Sequence, residues 1–276
     1  IIKNKDLTWT FDANLSTNTN KIKKLYSGRD QIIEGDGIAG STNTLLRPGL
    51  SADTYYLREW AGVDPDTGAP QWLTTDANGD RVITKNYAKA DQVALDKRAT
   101  PNVFGSFSTT LMYKGFDLNA VFGYSLGAYI YNYSRQEYDS DGAYTDRNQF
   151  SLQKGWKRWK QKGDIATHPV AAYNNPSNAN KASTRYLESA DFLKLRSVTL
   201  GYNFNLKSQI VKALRVYVSG ENLFCITDYS GVDPELPAAD GGRDASGERS
   251  TALSISTGAG VYPSVRKFML GVNVTF

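Results

Sequence analysis

Two short stretches carry carboxylates at a spacing that could hold a cation. Asp139-x-Asp141-Gly142 and Asp76-x-Asn78-Gly79-Asp80 each contain part of the oxygen-donor alternation of a calcium loop. Neither has the distal bidentate acid that completes one, and Asp-Gly and Asn-Gly are also the commonest chemistry of tight turns. The turn reading is preferred at both, and no metal ligand is assigned. His168, followed by Pro169, and Cys225, between Phe224 and Ile226, are the single histidine and the single cysteine. One of each builds neither a zinc site nor an internal disulfide. His168 has no evident nucleophile partner, Cys225 reads as a small apolar residue at a strand end, and neither G-x-S-x-G nor H-E-x-x-H occurs. No catalytic residue and no cofactor is therefore expected. What remains is aromatic. Between Gly127 and Arg185 lie Tyr138, Tyr144, Trp156 and Trp159, whose flat faces could stack on sugar rings while neighbouring Asp and Asn side chains bond to hydroxyls. Tyr129, Tyr131 and Tyr133, closer to a strand end, read as an interfacial girdle or as loop packing. Trp156 and Trp159, flanked by Lys154, Lys157, Arg158, Lys160 and Lys162, are the better contact candidates.

Such loops need a scaffold, and its signature is period two. Leu7, Trp9, Phe11, Ala13 and Leu15 alternate with Thr8, Thr10, Asp12, Asn14 and Ser16; Phe116, Leu118, Ala120, Phe122, Tyr124 and Leu126 alternate with Asp117, Asn119, Val121, Gly123 and Ser125. The same pattern returns at Val198–Phe204, at Leu214–Val218 and at Phe268, Leu270, Val272, Val274 and Phe276. A blurrier strand is predicted over Val103–Tyr113, with short ones over Thr54–Ala61, Gln71–Leu73 and Arg81–Thr84. No convincing amphipathic helix competes.

The connections are lopsided. Lys114-Gly115 is a tight turn and Asn205–Ala213 a modest one, whereas Gly127–Arg185 and Asp228–Tyr262 are long and sit on the other ends of the same strands. Short turns at one rim and long loops at the other characterise an outer-membrane barrel. The negative mean hydropathy of the 276-residue chain is compatible with this. No uninterrupted apolar run exceeds four residues, which excludes a spanning helix of ~20. It does not exclude strands of about 9–11 residues with one polar face. A net charge of +4, from 32 basic and 28 acidic residues, gives no reason to expect nucleic acid. The small and polar inward parities would fill a barrel of ~8 strands poorly, so an arc of a wider barrel is expected, its apolar parity facing outer-membrane lipid.

Specific segments then become recognisable. Arg215–Tyr229 (RVYVSGENLFCITDY), running into Ser230-Gly231-Val232-Asp233-Pro234-Glu235, resembles the C-terminal region of SusC/RagA-type TonB-dependent outer-membrane transporters. So do Tyr262–Phe276, Tyr186–Phe204 and the Tyr113–Leu118 turn. Trp159 followed by Gly163-Asp164-Ile165 is similar to a further family segment, with Gln161-Lys162 standing where a proline is expected. The resemblance implies an all-β fold: an antiparallel transmembrane β-barrel of 22 strands with short periplasmic turns and long extracellular loops. Residues 1–276 would be its C-terminal arc, with the plug domain and N-terminal strands outside this chain. It implies a SusD-like surface lipoprotein over the mouth, energy from TonB through the missing N-terminal part, and import of oligosaccharides or, in some members, peptides. It makes Phe276 the signal that the barrel assembly machinery reads, and puts the capping lipoprotein or the loop's own core ahead of substrate as what Trp156 and Trp159 contact. The competing reading is a structural or adhesive surface β-protein whose Tyr-rich loops bind a partner or glycan without transport.

Overall fold

Alternating apolar and polar residues favour extended chain because each parity then meets one environment. In the computed structural model, which describes residues 2–35, 43–206, 210–235, 256–257 and 263–276, six such strands form one wall. They are β1 (Leu7–Thr17), β2 (Val103–Tyr113), β3 (Phe116–Leu126), β4 (Phe192–Phe204), β5 (Ala213–Glu221) and β6 (Lys267–Thr275). Each pairs antiparallel with the next, so the wall is an up-and-down meander. Ile2–Lys3 adds to the free side of β1, and Cys225–Thr227 pairs with the start of β4.

The register aligns the parities into two continuous faces. One row runs Phe11, Thr109, Ala120, Val198, Gly220 and Phe268, and a second runs Trp9, Leu111, Leu118, Leu200, Val218 and Leu270. Among the described residues no element packs over this apolar face: Leu15 is 66% exposed, Phe268 76% and Leu270 74%. Phe107 stacks between Phe11 and Phe122 across it, at 5.9 and 4.8 Å. The one indole N–H in that region, on Trp9, donates to the Thr109 hydroxyl at 2.8 Å, which spares it an unpaired donor in hydrocarbon. Phe116, Tyr202 and Phe204 cluster edge to face at the lower rim, where an interfacial aromatic belt belongs.

In β4 the apolar parity changes from odd, Leu193 and Leu195, to even, Val198, Leu200 and Tyr202. A register shift explains it: Val121 faces Ser197 while Phe122 faces Leu195, so Arg196 is an extra residue. The bulge sends Arg196 to the polar face, over Gly123, where a Cβ would lie 2.7 Å from its Nε. The extended run from Leu214 to Ile226 is also interrupted. It breaks at Asn222, whose φ is +53°, opposite that bulge, and resumes at Cys225.

Loop lengths follow the expected asymmetry. At the lower rim, Lys114 and Gly115 take φ of +47° and +90° and close a two-residue hairpin. The upper rim carries the connections 18–102, 127–191 and 222–266; residues 36–42 of the first and 236–255 and 258–262 of the last lie outside the described residues. These connections form small sheets of their own: Ile32–Gly35, Asn43–Leu46, Thr54–Arg58 and Gln92–Arg98 in one, Trp60–Val63, Pro70–Thr75 and Arg81–Thr84 in another. The stretch expected as a single strand over Thr54–Ala61 is thus two strands belonging to different sheets. The largest fully buried side chains sit in this loop layer and not in the wall. Tyr55, Leu57, Tyr131, Tyr186 and Leu187 form its core, and Trp72 is sealed against Trp60 and Tyr87. Tyr131 is therefore loop core and not girdle.

Candidate functional site

A short helix α1 (Tyr133–Tyr138) begins the described part of the 127–191 connection beyond the strand Tyr129–Asn132, and the Asn132 side chain caps it by accepting from the Arg135 N–H at 3.0 Å. Its C-terminal end runs into Asp139-Ser140-Asp141-Gly142, a turn held by φ of +55° at Asp141 and +91° at Gly142. Gly142 is required there, since a Cβ would lie 2.4 Å from the Ala172 carbonyl oxygen. Both carboxylates point inward. Asp141 accepts from Arg158 Nη1 at 2.5 Å and from Arg185, and Asp139 meets His168 Nε2 at 2.7 Å with Arg135 Nε at 3.4 Å. The oxygens that calcium spacing brought to attention are thus occupied by guanidinium and imidazole groups. Asp76 accepts from the N–H groups of Asn78 and Asp80, which makes it the side-chain brace of the Thr75–Arg81 hairpin turn.

Burial works against the Asp139 carboxylate, yet His168, Arg185 and Arg135 outweigh it and hold its pKa below the usual range. A carboxyl depressed in the folded state stabilises fully above its unfolded value of about 3.9, and that contribution disappears as pH falls through the lower folded value. Near-UV circular dichroism of the full-length protein should therefore stay flat from pH 7 to about pH 4 and decline only below. A transition centred between pH 5 and 7 would assign control of the loop layer to another group.

Trp156 lies under the Arg135 guanidinium, 4.3 Å from the ring centroid, and 5.0 Å from the His168 ring. Its other surroundings are a recess of about 230 Å³ lined with Asn132, Phe150, Gln153 and Ser230. Tyr138 packs at a tilt against Phe150 of that recess, ring centroids 5.2 Å apart. The other two aromatic candidates lie elsewhere. Trp159 donates to the Pro65 carbonyl at 2.9 Å and covers Gly68, binding one loop to the next, while Tyr144 packs on Arg147. Phe276 follows β6, continues the outward parity of Val272 and Val274, and is 72% exposed.

The polar face holds two further ionic groups. Arg215 on β5 grips Asp117 on β3 through Nε and Nη2 at 3.0 and 2.5 Å, and Asn203 joins from the strand between them. Higher up, Lys194 on β4 donates to Asp233 at 2.9 Å and Glu235 at 3.2 Å, and Arg196 donates to Glu235 at 2.6 Å through Nη1. The segment Ser230–Glu235 is thereby fastened to the inner wall. Lys194→Met should release it, at a local cost of about 1.5–3 kcal/mol, seen as faster proteolysis of residues 228–235 with the wall intact. Periodicity did not reveal this clamp: Lys194 and Arg196 share the even parity of the outward Val198, Leu200 and Tyr202, and only the bulge puts the two cations on the polar face.

No family model matches the chain. Among curated proteins it is 29% identical to TonB-dependent receptor P3 of Formosa agariphila, over 100% of this chain and 27% of that protein. It is 27% identical to TonB-dependent receptor SusC of Bacteroides thetaiotaomicron, over 100% of this chain and 25% of that protein. Among solved structures, that of the RagAB peptide transporter matches with a TM-score of 0.78 and 26% identity, over 100% of this chain and 28% of that chain. This chain is related to the SusC-type TonB-dependent receptors. It spans about a quarter of the length of the curated relatives named here. The SusC-type relationship supplies what an uncovered apolar face calls for: the wall is an integral part of the outer membrane of a Gram-negative bacterium. The named relatives are receptors and transporters, not enzymes.

Proposed function

We propose that residues 1–276 are the C-terminal arc of a 22-stranded barrel that imports nutrient oligomers across the outer membrane, driven by TonB and capped by a SusD-like lipoprotein. The observation that carries this reading is the two-faced wall with its extracellular segment Ser230–Glu235 ion-paired to the lumen side through Lys194 and Arg196. A loop fastened inside the mouth narrows a passage, which is of use to a channel and of none to an adhesin.

Glycans are the foremost cargo, with peptides as the alternative. In the recess an aromatic ring, Trp156, stands beside the neutral amides Asn132 and Gln153 and the Ser230 hydroxyl, a combination suited to a sugar ring and its hydroxyls. Trp156 and Tyr138 are accordingly assigned to the cargo, and Trp159 and Tyr144 to ordering the loops that meet the lipoprotein. Uptake of labelled oligosaccharides and oligopeptides by cells expressing the full-length receptor tests this. Uptake should vanish on removal of TonB, and Trp156→Ala should weaken it about 3- to 10-fold, the loss of one aromatic contact. Adhesion that persists without any TonB-dependent uptake would overturn the proposal.

Phe276 is assigned to recognition by the barrel assembly machinery. Its deletion should lower surface levels while leaving the denaturation midpoint of barrels that do assemble unchanged; normal surface levels would refute the assignment.

A further inference from the structure

In the loop layer Arg135, Arg158 and Arg185 are matched by carboxylates. A different balance of charge holds elsewhere. At the upper rim, between the start of the 18–102 connection and the strand Gln92–Arg98, a cleft of about 830 Å³ is lined by Lys21, Arg47, Lys97 and Arg98 against the single carboxylate of Asp96. Among the described residues none of these four cations is in an ion pair. Asp53, the buried acid to which Ser51 of the cleft donates, also accepts from the Thr100 N–H. It is held by its own partners.

Two of the cations are fixed in place. Lys97 is half-buried with its ammonium 4.8 Å from the centroid of the Tyr129 ring, and Arg98 is half-buried and donates to the Asn18 carbonyl at 3.1 Å. Lys21 and Arg47 are exposed and free to close on a ligand. Four cationic residues line the cleft against one acidic residue, an excess of positive charge that attracts oxyanions, and partial burial protects part of it from salt. The volume falls within the range of ligand sites for small oligomers.

We propose that this cleft binds the oxyanion groups, carboxylate or sulfate, of an acidic cargo oligomer as it enters the mouth. The inference rests on the transport reading above and adds to it a charge class for the substrate. The same oxyanion chemistry is present on the phosphates of outer-leaflet lipid, and the hydroxyls and amides of the cleft, Thr19, Asn20, Ser51 and Asn102, favour a soluble oligomer over a headgroup.

The test uses the purified full-length receptor and two pairs of probes differing only in charge: tetragalacturonate with its methyl ester, and tetraglutamate with tetraglutamine. At low salt the charged member of at least one pair should bind at least tenfold more tightly than its neutral counterpart. The variant Lys21→Ala, Arg47→Ala, Lys97→Gln should lose that preference, and salt should erode it in the wild type. Equal binding of charged and neutral probes overturns the proposal, as does a preference that survives in the variant. Mass spectrometry of co-purified lipid A provides the other arm: its loss from the variant with oligomer binding unchanged would reassign the cleft to lipid phosphate and overturn the cargo assignment. TonB-dependent uptake of a neutral oligomer by the same variant keeps the two readings apart. Its persistence upholds transport whichever way the cleft result falls.

Discussion

Asp141→Asn should unfasten the extracellular loop layer while leaving the barrel wall standing. The Asp141 side chain has no solvent exposure and faces Arg158 and Arg185, the latter only 2% exposed. Arg185 already has its Nε and Nη2 buried without a hydrogen-bond partner. It depends on Asp141, on the Ala179 carbonyl to which its Nη1 donates at 3.1 Å, and on the Trp60 and Tyr186 rings, which lie 5.0 and 5.2 Å from its guanidinium carbon. Neutralising Asp141 leaves two guanidinium groups around Asp139 alone, and breaking a buried pair in this way costs ~3–5 kcal/mol. Hydrogen exchange on the full-length receptor should show protection around residues 133–143, 156–170 and 179–187 falling by about 100-fold or more, with β1 to β6 unchanged. The wall is spared because its strands are held by ladder hydrogen bonds and by the bilayer, not by the loop core. Unchanged protection in those loops would show that the ionic cluster does not hold them.

Val198→Arg and Thr199→Arg, one residue apart on β4, should have opposite outcomes. Val198 lies in the outward row with Ala120 and Gly220, and Thr199 faces the lumen between Asn119 and Ser219. A guanidinium on the lipid face near mid-wall costs ~2–4 kcal/mol, whereas a lumen-facing one remains hydrated. Heat-modifiable mobility and unfolding in lipid vesicles should show Val198→Arg assembling poorly and Thr199→Arg close to wild type. Equal behaviour would mean that the two faces have been assigned wrongly.

The wall was legible because alternation is a local property. Val103–Tyr113, Phe116–Leu126 and the Lys114-Gly115 turn between them coincide with the strands and hairpin observed. Each is fixed by residues close in sequence meeting either lipid or lumen. Where two strands interact to displace a residue, that rule loses its grip: the Arg196 bulge and the break at Asn222 form one irregularity shared by neighbours, and each strand alone shows only an unexplained change of parity or nothing.

The candidate site was legible in part. Trp156 does line a recess, but nothing in its spacing separates it from Trp159, which serves to bind one loop to another. His168, without an evident partner in the sequence, is buried against Asp139 from 29 residues away, and Lys194 meets Asp233 across 39. The sequence by itself determined the two-faced strands and the lopsided loops, because hydrophobic alternation and turn chemistry act over neighbouring residues. Only the tertiary structure decided which charges pair, which aromatics are buried and which cations stay uncompensated, because those depend on how three long connections close over one rim, and chain closure has no period.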